Sequence, residues 1–134
     1  MCKSTATVNI DTEFRVEPGC PREGDLHCKV VRAECAIIDR CDRWLTFKLR
    51  LLLKLRVESC RCDDACTFLK EIVVKETIWV DGGWWAEGCE VKAAVCKCVL
   101  HRGKAHCNAT ALLQFCLRPE HHHACCCHRR LCSC

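Results

Sequence analysis

No two of the eighteen cysteines in this 134-residue chain are spaced as C-x-x-C. Zinc ribbons, thioredoxin-like redox sites, clustered iron–sulfur ligands and c-type haem attachment mostly rest on that spacing, so the usual metal and redox modules are disfavoured. The first residues, Met1-Cys-Lys-Ser-Thr-Ala-Thr-Val-Asn-Ile, contain no apolar run of signal-peptide length, and no secretory signal is expected. Nor is there an apolar stretch of about 18 residues that would span a membrane as a helix. Charge of one sign is not gathered anywhere: 21 Lys and Arg interleave with 17 Asp and Glu for a net charge of +4. An electrostatic nucleic-acid binder needs a basic stripe, and an ordinary solvated surface is the plainer reading here. No active-site motif is recognisable. Carboxylates pair only at Asp63-Asp64, in a turn signal. A catalytic thiol would sit among many exchange partners. The chain is not expected to be an enzyme.

What the chain has is sulfur. The closest pairs are C-x-C (Cys60/Cys62, Cys96/Cys98, Cys132/Cys134), the run Cys125-Cys126-Cys127, and Cys62/Cys66. Such density points to a disulfide scaffold or a thiolate metal store. A chain of this length buries roughly two thirds of its unfolded surface and does not need disulfides to fold. At roughly 2–4 kcal/mol each, many bridges would exceed what folding requires, so resistance or linkage between chains becomes the expected purpose. Disulfides persist in oxidising compartments, yet no export signal is expected. Processing, reduced thiols that bind metal, or release on lysis of the producing cell would each resolve that conflict.

Hydrophobicity alternates with period two. Ala6, Val8, Ile10, Phe14 and Val16 share one side of residues 5–16. Leu45, Phe47, Leu49, Leu51, Leu53, Leu55 and Val57 share one face of 44–57, opposite Lys48, Arg50, Lys54 and Arg56. Leucine favours helix, but a helix would scatter these residues around its circumference, so the period predicts a strand. Residues 67–80 and 104–118 alternate likewise, while 26–38 changes phase near Val30-Val31, which predicts a bulge. Turn signals lie between the runs, and no helix is predicted. The expectation is an all-β, disulfide-rich fold: an antiparallel β-sandwich or open barrel of about six to eight strands.

An internal repeat is visible. Cys28-Lys-Val-Val-Arg-Ala-Glu-Cys35 and Cys89-Glu-Val-Lys-Ala-Ala-Val-Cys96 both fit C-x-V-x-x-A-x-C, 61 residues apart, and chance agreement is the competing explanation. Each copy leads into a polar turn and a long alternating strand. The predicted organisation is one β domain over 1–118, with an N-terminal arm (1–16) whose residues 3–16 pair within their own domain or insert into the next subunit, repeat-like hairpins over 26–58 and 87–118, and a Cys/His-rich tail over 119–134.

A β hairpin with alternating valine and alanine, a turn with a basic residue and a leucine-rich strand resembles the SPOCS-type small spore-coat-associated domain of spore-forming Firmicutes. The segments Cys28–Val57 and Cys89–Arg118, about half of the chain, carry the resemblance. It implies a structural protein of the spore envelope, made in the mother cell and exposed when that cell lyses, with no catalytic residues.

Candidate residues follow from the chemistry of sulfur and imidazole. Cys2, Cys125, Cys126, Cys127, Cys132 and Cys134 are candidates for cross-links between subunits, because adjacent cysteines cannot easily bridge each other and point to different partners. Cys28, Cys35, Cys89, Cys96, Cys60 and Cys66 are candidates for structural disulfides. His121, His123, Cys125, Cys127, His128, Cys132 and Cys134 would be the ligands if the tail held zinc or copper instead. Trp79, Trp84 and Trp85 around Asp81-Gly82-Gly83 would stack on carbohydrate or bases, or simply pin a hairpin by cross-strand pairing. Asn108-Ala-Thr110 matches a glycosylation sequon, discounted without an export signal. The function expected is a structural protein that assembles with copies of itself into a cross-linked extracellular fibre or spore-surface layer, without cofactor, nucleic acid or membrane span. The alternatives are an intracellular Cys/His metal-binding protein and a secreted disulfide-rich effector.

Overall fold

The computed structural model describes residues 2–16, 23–41, 43–57, 67–80 and 82–119. They form six strands: β1 (Cys2–Arg15), β2 (Gly24–Cys41), β3 (Trp44–Val57), β4 (Thr67–Trp79), β5 (Trp84–His101) and β6 (Lys104–Pro119). All pair antiparallel in a single sheet of order β1-β6-β5-β2-β3-β4. The sheet curls into a half-barrel. Among the described residues there is no helix. Of the two architectures expected from the sequence, the curled open sheet is the one adopted.

Period two explains the curl. Every second residue of β3, from Leu45 to Val57, is buried on the concave face, as are Ala105, Cys107, Ala109, Ala111, Leu113 and Phe115 of β6. Phe47 and Phe115 meet at the centre of this core, with ring centroids 5.5 Å apart. Burial of each such large side chain is worth about 1.5–3 kcal/mol, far more than the preference of leucine for helix. The bulge expected near Val30-Val31 is present: the β2–β3 register shifts between Val30 and Arg32. A second shift falls between Val91 and Ala93 of β5, at the matching place in the other hairpin.

The repeat extends beyond the two hairpins. β1, β2 and β3 correspond to β4, β5 and β6, related by a pseudo-twofold axis through the β2/β5 seam. Val8 on β1 stands opposite Ala111, as Ile72 on β4 stands opposite Leu51, and both Val8 and Ile72 are buried. The first strand of each unit pairs with the last strand of the other. That exchange requires each connection into the next strand to cross a hairpin tip, and both crossings are held alike. Val16 N–H donates to Gly103 O (3.0 Å), and Val80 N–H donates to Arg43 O (2.7 Å). The β5–β6 tip is a two-residue loop with Arg102 at φ 53° and Gly103 at φ 77°, the left-handed pair that suits tight hairpins.

β1 pairs with β6 along its whole length, from Cys2↔Leu117 to Arg15↔Lys104, so residues 3–16 pair within their own domain. One expectation is corrected by this topology: β4 and β5 do not form a hairpin, since β2 and β3 lie between them. Gly82 lies by the β2–β3 tip, where a Cβ on it would stand 3.1 Å from Arg43 Nε.

Candidate functional site

The seam between β2 and β5 joins the two units. Its backbone ladder is confined to Gly24↔Leu100, Asp25↔Val99 and Leu26↔Cys98, although each strand is 18 residues long. Beyond Leu26 the register continues in sulfur. Cys28 is bonded to Cys96 (Cα–Cα 6.0 Å) and Cys35 to Cys89 (Cα–Cα 5.9 Å). The pseudo-twofold exchanges these two bonds, so the repeated cysteines pair across the copies and not within them. At the far end of the seam, Arg40 Nε donates to Ala86 O (3.0 Å), and its guanidinium stands 4.6 Å from the Trp85 ring centroid. Partial burial there pulls the Arg40 guanidinium below its usual range.

A third disulfide, Cys98–Cys107, joins directly opposed residues of β5 and β6 inside the core. Neither residue was among the structural candidates. The signal was legible: Cys98 shares a face with Cys96, and the His101-Arg-Gly-Lys turn folds it onto Cys107. Of the cross-link candidates, Cys2 is the first residue of β1, beside the end of β6. Cys125, Cys126, Cys127, Cys132 and Cys134, and the tail ligands His121, His123 and His128, lie outside the described residues, as do Cys60 and Cys66. Among the described residues no group of three or more His, Cys, Asp or Glu gathers in a way that could hold a metal ion.

The two barrel ends are built differently. At one, Glu23 accepts from the Arg102 backbone N–H (2.9 Å) and lies 3.0 Å from His101 Nδ1. The Arg102 N–H, then His101, hold the Glu23 carboxyl below its ordinary value of 4.5. The other end gathers all four tryptophans of the chain. Trp79 stands opposite Trp44 on β3, edge to face at 5.0 Å, and each ring is about half exposed. Arg43 lies over Trp79 at 5.6 Å. The cross-strand aromatic pair exists, but the partner of Trp79 is Trp44 of β3 and not Trp84 or Trp85. The sequon asparagine lies within the sheet: Asn108 Nδ2 donates to Asp11 Oδ1 (2.8 Å) and Thr110 Oγ1 to Asn9 Oδ1 (2.7 Å).

The sheet ends in two edge strands, β1 and β4, that face each other across the core without pairing. At one end Phe14 and Phe68 bridge the gap, with ring centroids 6.0 Å apart and Lys70 Nζ 5.0 Å from the Phe14 ring. At the tryptophan end the gap opens into a cavity of about 300 Å³ lined by Lys3, Ser4, Trp79, Trp84 and Phe115.

No family model, curated protein or solved structure matches the chain. No helix among the described residues is long and apolar enough to cross a membrane. The intrachain disulfides accord with an oxidising, extracellular setting.

Proposed function

We propose that this protein is a structural building block that assembles with copies of itself into a disulfide-linked extracellular fibre or layer. The SPOCS resemblance would place that layer on a spore surface. The open sheet carries the reading. β1 and β4 are regular edge strands of 14 and 13 residues, and neither shows a register shift along its pairing. Uncovered edges of that kind template strand addition, and soluble monomers usually blunt them with bulges, proline or inward charges. Here Lys70, Glu71, Lys75 and Glu76 place charges along β4, but no proline or bulge interrupts it. Val73 and Trp79 stand about half exposed on the same strand. An edge of one copy set against the opposite edge of the next is a heterologous contact, which propagates as a filament unless its rotation closes a ring. The seam disulfides support the same reading, since they make each unit resistant to opening before any link between units forms. Cys2 and the tail cysteines would supply those links.

Non-reducing electrophoresis of the native material tests this, with electron microscopy beside it. A ladder of high-mass species that collapses on reduction, together with filaments or sheets, is expected. Dispersed single chains under both conditions would overturn the reading.

A further inference from the structure

Charges on an edge strand usually keep other strands away. β4 carries Lys70, Glu71, Lys75 and Glu76. Lys70 and Glu76 stand opposite the buried Leu53 and Phe47 of β3, and so on the core face of the sheet. Glu71 and Lys75 stand opposite Leu52 and Lys48, on the convex face. Within the chain this set is only partly matched. Glu71 Oε2 lies 3.2 Å from Arg50 Nη2, and Lys70 Nζ lies 5.0 Å from the Phe14 ring centroid. Lys75 faces another lysine, a cross-strand arrangement that costs stability. Among the described residues, neither Lys75 nor Glu76 has an ion-pair partner.

The order of these charges is self-complementary. Turned antiparallel about Val73, β4 sets Lys70 against Glu76 and Glu71 against Lys75, and the twofold repeats both pairs. The same register sets Ile72 against Val74 and Phe68 against Ile78. Every pair joins residues of one face, so the apolar faces of both copies stay on the same side. Moving the axis by one residue either way sets all four charges against uncharged residues, and a half-residue step opposes Lys70 to Lys75 or Glu71 to Glu76. β1 offers no such match. Its core-face positions Ser4, Ala6, Val8, Ile10, Thr12 and Phe14 carry no charge to set against Lys70 or Glu76.

We propose that β4 docks antiparallel on β4 of a second copy, about a twofold axis at Val73, a contact that rests on the edge-assembly reading above and names the partner of one edge. Lys75 gains from Glu71 of the second copy the acid it lacks in its own chain. Val73, 45% exposed in the single chain, meets its symmetry mate at the axis. The charges that turn other strands away thereby select this one. Such a contact is isologous and closes on itself, so it makes a pair. Growth beyond the pair then falls to a different contact, at β1 or through the cysteines.

Sedimentation of the full-length oxidised chain, with its remaining thiols alkylated so that only noncovalent contacts are read, provides the test. Glu71→Lys with Glu76→Lys makes the charges of β4 wholly basic, and Lys70→Glu with Lys75→Glu makes them wholly acidic. Each variant alone should self-associate at least about tenfold more weakly than the unmodified chain, because attractive pairs have become repulsive. Mixed in equal amounts, the two should form a one-to-one pair at least as tight as that of the unmodified chain. Reversing all four charges in one chain should restore self-association, with the far-ultraviolet circular dichroism of the sheet in place. The β4 contact is overturned if the single-sign variants pair as the unmodified chain does, if their mixture stays as single chains, or if the full reversal does not pair. It is equally overturned if the unmodified chain stays single in this measurement. The assembly reading fails separately, on the absence of a non-reducing ladder from the native material.

Discussion

Cys35 is bonded to Cys89 across two strands whose backbone pairing ends at Leu26. The seam between the two units is held by sulfur along most of its length, with its backbone ladder confined to one end and the Arg40–Ala86 hydrogen bond at the other.

Removing both seam bonds (Cys28→Ser, Cys35→Ser, Cys89→Ser, Cys96→Ser) should therefore cost more than removing Cys98–Cys107 by Cys98→Ala and Cys107→Ala. The seam bonds close sequence separations of 68 and 54 residues, against 9 for the third. On chain entropy a long closure is worth about 4 kcal/mol and the short one about 2.5 kcal/mol. Urea unfolding under non-reducing conditions measures the difference, and equal losses would show that the seam carries no special weight.

Leu53 is fully buried between the two flanking strands of β3, whereas Val95 on β5 is 65% exposed. Leu53→Ala should destabilise by about 2–5 kcal/mol and Val95→Ala by about 0.5 kcal/mol or less. Thermal melts of the two variants give the comparison, and a large loss at Val95 would show that the convex face is covered in the native assembly.

Glu23 ties the first crossing to the β5–β6 tip, and its carboxyl is held below 4.5 by the Arg102 N–H and His101. A carboxylate depressed in the fold contributes stability above its unfolded value and loses it as pH falls through the lower folded value. Glu23→Gln should be less stable than the unmodified protein at pH 7. The two should converge as the pH drops below the ordinary value of 4.5. Urea midpoints across an acid series test this, and a gap that persists at the acid end would refute the assignment.

Val73 stands 45% exposed in the middle of the β4 edge. A charge there leaves the concave core untouched and opposes pairing with a neighbour. Val73→Lys should fold normally but shift assembly toward single chains in light scattering. Unchanged particle size would mean that β4 is not the edge in use.

The strands themselves were legible because a buried face and a solvated face alternate along each one. Leu45 to Val57 left no other arrangement that hides seven apolar side chains together. The bulge at Val31 was legible for the same reason, as a break in that alternation. The tryptophan end was only partly legible, since Trp44 is remote in sequence from Trp79, and cross-strand neighbours are set by register. Cys98–Cys107 could have been read from one turn, whereas the pairing of Cys28 with Cys96 could not, because it depends on which strands become neighbours.

Alternating hydrophobicity determined by itself that the chain is all-β and which face of each strand is buried, since that pattern is a local property of backbone geometry. The C-x-V-x-x-A-x-C motif likewise announced a duplicated hairpin. Strand order, the exchange of β1 and β4 between units and the stapled seam were decided only in three dimensions. Several strand orders bury the same faces equally well. Crossing two hairpin tips and closing two long-range disulfides selects among them, and those constraints join residues that no local pattern connects.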